Sequence, residues 1–298
     1  MGINRLNTHV LPVRFEYHAP ASLEAAVELL SAYGGGASLL AGGTDLLVKM
    51  KQRLVEPGHV INVKNIGALT RIEDGADGLR IGAATRLRTI ERSELVRGKL
   101  PLLHEAVSSI GSVQVRNMAT LGGNLCNASP AADSAVALMA LDAEARIMGP
   151  DGARTASLEE FFLGPGLTAL RPDEILVEVS TPYLPEVAGT SFIKLGRRSL
   201  DLATINVAVV LELAGGVVAD CRIALGSVAP TPVRMRRAEE FLRGKELTSG
   251  AMEAAAEMVS EDIRPIDDVR ATAEYRREAS KALTRDALTA AGERAGEG

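Results

Sequence analysis

Residues 117–133 read NMATLGGNLCNASPAAD, and an earlier stretch at residues 39–46, LLAGGTDL, repeats the same pattern. Each stretch carries a Gly-Gly pair beside a threonine and a carboxamide or carboxylate residue. Paired glycines let the backbone turn sharply and remove the Cβ atoms that would hold a ligand away. Backbone N–H groups exposed in such a turn converge on an anion, most effectively where a helix begins just beyond. Two such loops in one domain predict a site for both phosphates of a dinucleotide.

The residues around the two Gly-Gly pairs support this interpretation. The apolar run at 37–41 is typical of a buried strand, and Thr44 or Asp45 can cap the helix that follows. Beyond the second pair, Asp133 opens a very apolar helix. Asp133 has two competing roles, as the N-cap of that helix or as an acceptor for ribose hydroxyls. Neither pair fits the Walker pattern or GxGxxG, which disfavours a nucleoside triphosphatase and an ordinary Rossmann dehydrogenase.

The composition changes at residues 182–185, PYLP, where we place the boundary between two domains. Beyond it, three strand-like runs and the Gly215-Gly216 turn predict an antiparallel meander, followed by helices. We therefore predict an α+β chain with a first domain at residues 1–182, a smaller domain at 183–292 and a frayed tail at 293–298. The first dozen residues are expected to form an extension or an early strand.

The composition excludes several classes of protein. A net charge of −5 and 3% aromatic residues without Trp disfavour a nucleic-acid binder. No apolar run is long enough to span a membrane, and residues 1–13 lack the apolar core of a signal peptide, so we expect a cytoplasmic protein. Two cysteines, Cys126 and Cys221, cannot hold a four-cysteine iron–sulfur cluster. No metal site is predicted from the two cysteines and the four scattered histidines, His9, His18, His59 and His104. No set of catalytic residues is recognisable in the sequence.

The chain resembles the FAD-binding medium subunits of the xanthine dehydrogenase and carbon monoxide dehydrogenase group of molybdenum hydroxylases. The resemblance is carried by LLAGGTDL at 39–46, by TLGGN at 120–124 within RNMATLGGNLCNASPAADS, and by the stretch from EILVEV to FIKLGRR at 174–198. It extends over nearly the whole chain. It implies a vanillyl-alcohol-oxidase-type (PCMH-type) FAD-binding domain of two subdomains, followed by a smaller α+β domain with an antiparallel sheet and helices.

The resemblance also assigns residues to the FAD site. The two Gly-Gly segments would bind the diphosphate and its neighbours, Asp133 is the acidic residue nine positions after Asn124, and Leu176 contributes its backbone. Lys194 would lie beside the flavin; its other interpretation is a solvated strand face. The full set is Leu39, Leu40, Ala41, Gly42, Gly43, Thr44, Asp45, Leu46, Ile110, Gly111, Ala119, Thr120, Leu121, Gly122, Gly123, Asn124, Asp133, Leu176 and Lys194.

The function that the resemblance implies is electron transfer. A large subunit with a molybdenum cofactor would hydroxylate the substrate, a small subunit with two 2Fe-2S clusters would pass the electrons on, and FAD in this chain would deliver them to NAD, a quinone or oxygen. A dimer of heterotrimers is the expected assembly. One alternative is a self-sufficient FAD-dependent oxidoreductase of the same cofactor-binding fold, with its own substrate pocket. Another is a nucleotide-binding regulatory module, which would carry no redox-active chromophore.

Overall fold

The structure, a computed structural model, describes Leu11 and residues 13–296. Nearly all of the extension or strand predicted for the first dozen residues lies outside this part. The first subdomain is built on a parallel sheet with the strand order β1-β3-β2. Its elements are β1 (Glu16–His18), α1 (Leu23–Tyr33), β2 (Ala37–Leu40), α2 (Leu46–Lys51) and β3 (His59–Asn62).

Helix α1 begins at a serine cap and ends at a glycine. The Ser22 side chain accepts a hydrogen bond from the backbone N–H of Ala25, and the helix ends at Gly34. Its apolar face packs in a core with Ile61 of β3. Because the strands are parallel, their carboxyl ends share one edge of the sheet, and the first Gly-Gly segment leaves β2 from that edge.

The second subdomain combines a five-stranded antiparallel sheet, in the order β4-β5-β10-β6-β7, with a group of short helices. The last strand in sequence lies at the centre of this sheet, so the chain returns to the core before it enters the next domain. The elements are β4 (Ile72–Asp74), β5 (Gly78–Gly82), α3 (Leu87–Arg92), α4 (Glu94–Lys99), α5 (Pro101–Ser108), α6 (Val113–Met118), α7 (Leu121–Cys126), α8 (Asp133–Ala140), β6 (Glu144–Gly149), β7 (Gly152–Ser157), α9 (Leu158–Phe161), β8 (Phe162–Gly164), β9 (Leu167–Thr168) and β10 (Ile175–Pro182).

The C-terminal domain is a four-stranded antiparallel sheet in the order β11-β12-β13-β14 with three helices. Gly215 and Gly216 have φ values of +61° and +83° and connect β12 to β13, as the predicted hairpin requires. The elements are β11 (Ala188–Leu195), β12 (Ile205–Ala214), β13 (Val217–Gly226), β14 (Val233–Arg234), α10 (Arg236–Leu242), α11 (Ser249–Asp262) and α12 (Ala273–Gly296). The predicted α+β meander is confirmed.

Strand β12 is buried on both faces. Val207 and Val209 pack in a core with α10, α11 and α12, whereas Ala208 and Val210 join the core of the second subdomain, which includes α8. This alternation follows from the two-residue period of a strand. All eight residues of α8 are buried, so this helix joins the two domains through apolar packing.

The frayed tail predicted at residues 293–298 is wrong for 293–296, which continue α12. Ala295 is 7% exposed, and Arg294 donates hydrogen bonds to Glu105 Oε1, at 2.9 Å, and to the carbonyl oxygen of Thr190. The polar sequence of this segment led to the prediction of a frayed tail. The helix nevertheless packs closely, because it lies against a glycine of β11. A Cβ atom at Gly189 would lie 1.9 Å from the Ala291 carbonyl oxygen. Residues 297–298 lie outside the described part.

We expect Gly189→Ala to destabilise the C-terminal domain, because α12 would have to move away from β11. Overpacking of this kind costs about 1–3 kcal/mol, and occasionally more. Urea unfolding followed by circular dichroism measures the change. Gly250→Ala is the matched control, because Gly250 lies in α11 and a Cβ atom there would have no other atom within 4 Å; at this position we expect a gain of about 0.4–1 kcal/mol. Equal stability of the Gly189→Ala variant and the wild type would contradict the close packing.

Candidate cofactor-binding site

A cleft of about 450 Å³ opens where the two subdomains and the C-terminal domain meet. It is lined by residues of the first subdomain between positions 39 and 55 and of the second between positions 87 and 133. The C-terminal domain contributes Lys194 and residues 200–202. Its size and its position between domains are those of a small-molecule site.

The structure brings most of the predicted site residues together at this cleft. The residues that line it are Leu39, Ala41, Gly42, Gly43, Thr44, Asp45, Leu46, Ile110, Gly111, Ala119, Thr120, Gly123, Asn124, Asp133 and Lys194. The other four lie behind the lining. Leu40, Leu121 and Leu176 are buried side chains, and a Cβ atom at Gly122 would lie 2.6 Å from the Cβ of Ala83.

The first Gly-Gly segment has the geometry that its sequence predicts. It connects β2 to α2, and Gly43 has a φ of +77°, which favours glycine. Among the described residues, the backbone N–H groups of Gly42, Gly43, Thr44 and Asp45 have no hydrogen-bond acceptor. Four unpaired N–H groups ahead of a helix suit an anionic ligand such as a diphosphate.

The second Gly-Gly pair is not a loop, which corrects the sequence interpretation. It lies in the first turn of α7, where Thr120 is the N-cap and its Oγ1 accepts a hydrogen bond from the N–H of Gly123 at 3.1 Å. The N–H of Gly122 donates to the carbonyl oxygen of Ala83 at 2.7 Å. The N–H of Gly122 therefore holds α7 against the Ala83 segment, and the N–H of Gly123 bonds the cap of its own helix. Among the described residues, the unpaired donors come from the first segment.

The two segments touch each other through Gly42. A Cβ atom at this position would lie 2.4 Å from the carbonyl oxygen of Met118 and 2.7 Å from the Cα of Ala119. Only a glycine allows the first segment to lie this close to the end of α6, because both contacts are with backbone atoms. This contact fixes the position of the N–H groups at 42–45 relative to α7.

Asp133 is not the N-cap of α8, so the first of its two competing interpretations, helix capping, is wrong. The N-cap is Ala132, and no side chain caps the helix. The Asp133 carboxylate accepts hydrogen bonds from Lys194 Nζ at 2.7 Å and from Asn206 Nδ2 at 2.6 Å. Lys194 also donates to the carbonyl oxygen of Ser109 at 2.9 Å. The Asp133–Lys194 pair closes the end of the cleft that the C-terminal domain lines.

Lys194 is not on a solvated strand face either, because its side chain is only 11% exposed. Burial raises the pKa of the Asp133 carboxyl above its usual value, and Lys194 and Asn206 oppose this effect. The pair places two opposite charges, and therefore a local dipole, next to the cleft, where it acts on whatever ligand occupies it.

Two of the polar residues that sequence reasoning missed are Asn206 and Lys49, which make hydrogen bonds at the site. Asn206 is fully buried in β12, 73 positions from Asp133, and nothing in the local pattern connects the two. Lys49 lines the cleft and donates a hydrogen bond to Asn127 Oδ1 at 2.8 Å. Its position one turn after Asp45 in the predicted helix was a usable signal, because a cation there lies beside the predicted phosphate loop.

Cys126 also lines the cleft but offers no nucleophile. Burial raises the pKa of its thiol to about 12, so it stays protonated and unreactive. The other cysteine, Cys221, is buried in β13, and burial raises the pKa of its thiol as well.

No helix among residues 13–296 is both long and apolar enough to cross a membrane. His104 lies in α5 and has a structural contact, since its Nε2 lies 3.1 Å from the carbonyl oxygen of Glu91.

The fold and the cleft define a dinucleotide-cofactor-binding protein, and comparison with known proteins specifies the class. The family described as "FAD binding domain in molybdopterin dehydrogenase" matches residues 13–184, and the family described as "CO dehydrogenase flavoprotein C-terminal domain" matches residues 190–291. The chain is 38% identical to the carbon monoxide dehydrogenase medium chain of Hydrogenophaga pseudoflava over 95% of its length and 98% of that protein's. It is 36% identical to the putative xanthine dehydrogenase FAD-binding subunit of Escherichia coli K12, over 92% and 95% of the two chains.

Solved structures agree with these matches. Carbon monoxide dehydrogenase from Hydrogenophaga pseudoflava superposes with a TM-score of 0.92 at 40% identity, covering 94% of this chain and 98% of that chain. The chain therefore belongs to the FAD-binding medium subunits of the molybdenum hydroxylase family, and the resemblance seen in the sequence is confirmed. It is an oxidoreductase component with a PCMH-type FAD-binding domain and a smaller C-terminal domain, and its cofactor is FAD. The N–H groups at 42–45, which are unpaired among the described residues, are of the chemical kind that a diphosphate needs.

Proposed function

We propose that this chain is the electron-transfer subunit of a three-component molybdenum hydroxylase. It takes electrons from the 2Fe-2S clusters of a small subunit and delivers them to an external acceptor, while a large subunit with a molybdenum cofactor hydroxylates the substrate. The observation that carries this proposal is similarity over 95% of the chain to proteins named medium chains, in a chain with only two cysteines, too few for a four-cysteine cluster.

The residues of the cleft have separate parts in this function. The N–H groups of residues 42–45 bind the diphosphate, and Lys49 adds a positive charge beside them. The Asp133–Lys194 pair, held by Asn206, sets the charge at the other end of the cleft, where the flavin ring or its ribityl chain would lie. Bound FAD supplies the redox chemistry, and the protein holds and orients it.

The mouth of the cleft is where the electron acceptor would approach. Leu200 and Leu202 line it and are 61% and 59% exposed, so this rim leaves room for a small molecule to approach. NAD, a quinone or oxygen is the acceptor that we propose. We further propose a cytoplasmic dimer of heterotrimers.

Affinity purification of this chain from its own cells tests the proposal. We expect a flavin absorption band together with an iron–sulfur subunit and a molybdenum-containing subunit, identified by mass spectrometry and metal analysis. The same purification from cells that express the untagged chain is the control for non-specific proteins. Bound flavin with no partner subunits, and turnover of a substrate by the isolated chain, would instead establish the self-sufficient oxidoreductase. A folded protein with no flavin, even after addition of FAD, would contradict the cofactor site itself.

A further inference from the structure

Three side chains with metal-binding atoms meet on one face of the first subdomain, at a distance along the sheet from the cofactor loop. Glu16 and His18 are two residues apart in β1 and therefore project from the same face of the strand. His59 begins the adjacent strand β3 and is the register partner of Glu16. Parallel pairing of the two strands thus brings together residues that are separated by more than forty positions in the chain.

The distances between their donor atoms are short. His18 Nε2 lies 3.2 Å from His59 Nδ1, and Glu16 Oε2 lies 3.6 Å from the same nitrogen. One ligand atom from each of the three side chains lies within 4.8 Å of the other two. Tyr33 holds the His59 ring from one side, because the two rings stack with their centroids 3.6 Å apart and an angle of 9° between them.

This spacing matches a tetrahedral metal centre. Two imidazole nitrogens bound to Zn²⁺ at their usual distances are about 3.3 Å apart. The Glu16 side chain is 72% exposed and is free to rotate by the small amount that full coordination needs. Two imidazoles and one carboxylate are a donor set for Zn²⁺ and neighbouring transition metals rather than for Ca²⁺ or Mg²⁺, which prefer oxygen atoms.

We propose that Glu16, His18 and His59 form a binding site for a divalent transition-metal ion, with Zn²⁺ as the best fit. Three protein ligands leave the fourth position of a tetrahedral ion to water. Across the sheet, His59 is paired with Glu16 on one side and with Ala37 on the other, and all three lie at the start of the parallel strands. The cofactor loop leaves β2 at the carboxyl end of these strands. Glu16 and His59 therefore lie at the end of the strands opposite the cofactor loop, and His18 lies two residues further along β1, paired with Ile61.

The physical effect of the ion is to fasten β1. This strand has only three residues and, among the described strands, pairs with β3 alone, so few of the described hydrogen bonds attach it to the domain. A metal ion held by two residues of β1 and one of β3 adds a link between the strands that the unfolded chain lacks, and it stabilises the folded state as any ligand of that state does.

Zinc titration of the tag-free holoprotein tests this inference. After treatment with a chelator and its removal, we expect about one equivalent of Zn²⁺ to bind, measured by competition with a chromophoric zinc indicator and by elemental analysis. The melting temperature should rise by roughly 2–4 °C at saturation. His18→Gln and His59→Gln should each weaken binding by more than about 100-fold, and Glu16→Gln by about 10- to 100-fold.

The matched control is His104→Gln, which removes a histidine of the second subdomain and should leave zinc affinity unchanged. Flavin absorbance and circular dichroism verify that each variant is folded, so the outcome does not depend on the electron-transfer proposal. Absence of zinc binding to the wild type would show that His18 and His59 share only an N–H···N hydrogen bond, and it would overturn the site. Equal zinc affinity of the wild type and all three site variants would do the same.

Discussion

Replacing Gly42 by alanine should deprive the protein of most of its flavin. The added methyl group would lie 2.4 Å from the Met118 carbonyl oxygen and 2.7 Å from the Ala119 Cα, so the first Gly-Gly segment would have to move away from the end of α6. The N–H groups at 42–45 would move with it. A cost of about 1–3 kcal/mol corresponds to a roughly 5- to 150-fold higher Kd for FAD. The flavin-to-protein absorbance ratio after purification, and fluorescence titration of the apoprotein, measure the effect.

Gly36→Ala is the control for this experiment. Gly36 directly precedes β2 and is exposed, and a Cβ atom there would have no other atom within 4 Å, so this variant should retain its flavin. Circular dichroism of both apoproteins separates a local movement of the loop from general unfolding. Normal flavin affinity in a folded Gly42→Ala variant would show that the first segment does not determine how the diphosphate is bound.

Asp133→Ala should cause a large loss of stability. The substitution leaves Lys194, whose side chain is 11% exposed, with only the Ser109 carbonyl oxygen, and it removes the acceptor of the fully buried Asn206 amide. Removing one partner of a buried ion pair costs about 3–5 kcal/mol. Urea unfolding of the apoprotein measures this cost, and titration with FAD measures the separate loss of affinity.

The double variant Asp133→Ala/Lys194→Met distinguishes the ion pair from simple packing. With both charges gone, no uncompensated charge stays buried, so we expect the double variant to regain part of the stability that the single variant lost. If the double variant is less stable than Asp133→Ala, the unpaired lysine is not the source of the loss.

Much of the fold was predictable from local pattern. The cap and apolar face of α1, the buried helix α8 and the glycine hairpin between β12 and β13 all depend on neighbouring residues, and they occur where the sequence places them. The first Gly-Gly segment belongs to the same group, since a strand, a turn and a helix start follow one another without help from the rest of the chain.

The remaining features depend on contacts between distant residues. The second Gly-Gly pair looked like the first in sequence, but the Ala83 carbonyl and the Thr120 hydroxyl hold it in a helix. The Asp133–Asn206 hydrogen bond and the Glu16, His18 and His59 group form only when strands pair across the domain. No periodicity within a window of ten or twenty residues can encode such pairs.

The packing of α12 on Gly189 affects the order in which the protein folds and binds its cofactor during synthesis. Through Arg294, the last turns of α12 hold Glu105, a residue 189 positions earlier that also accepts a hydrogen bond from the N–H of Phe192. Domains generally fold in order as the chain leaves the ribosome. The FAD-binding domain can therefore form its own sheets early, but the wall of the cleft that Lys194 provides is secured only after residue 294 has emerged. Loading of the flavin is thus expected to be a late step of biosynthesis, and ribosome-stalled chains that stop before α12 should bind it weakly.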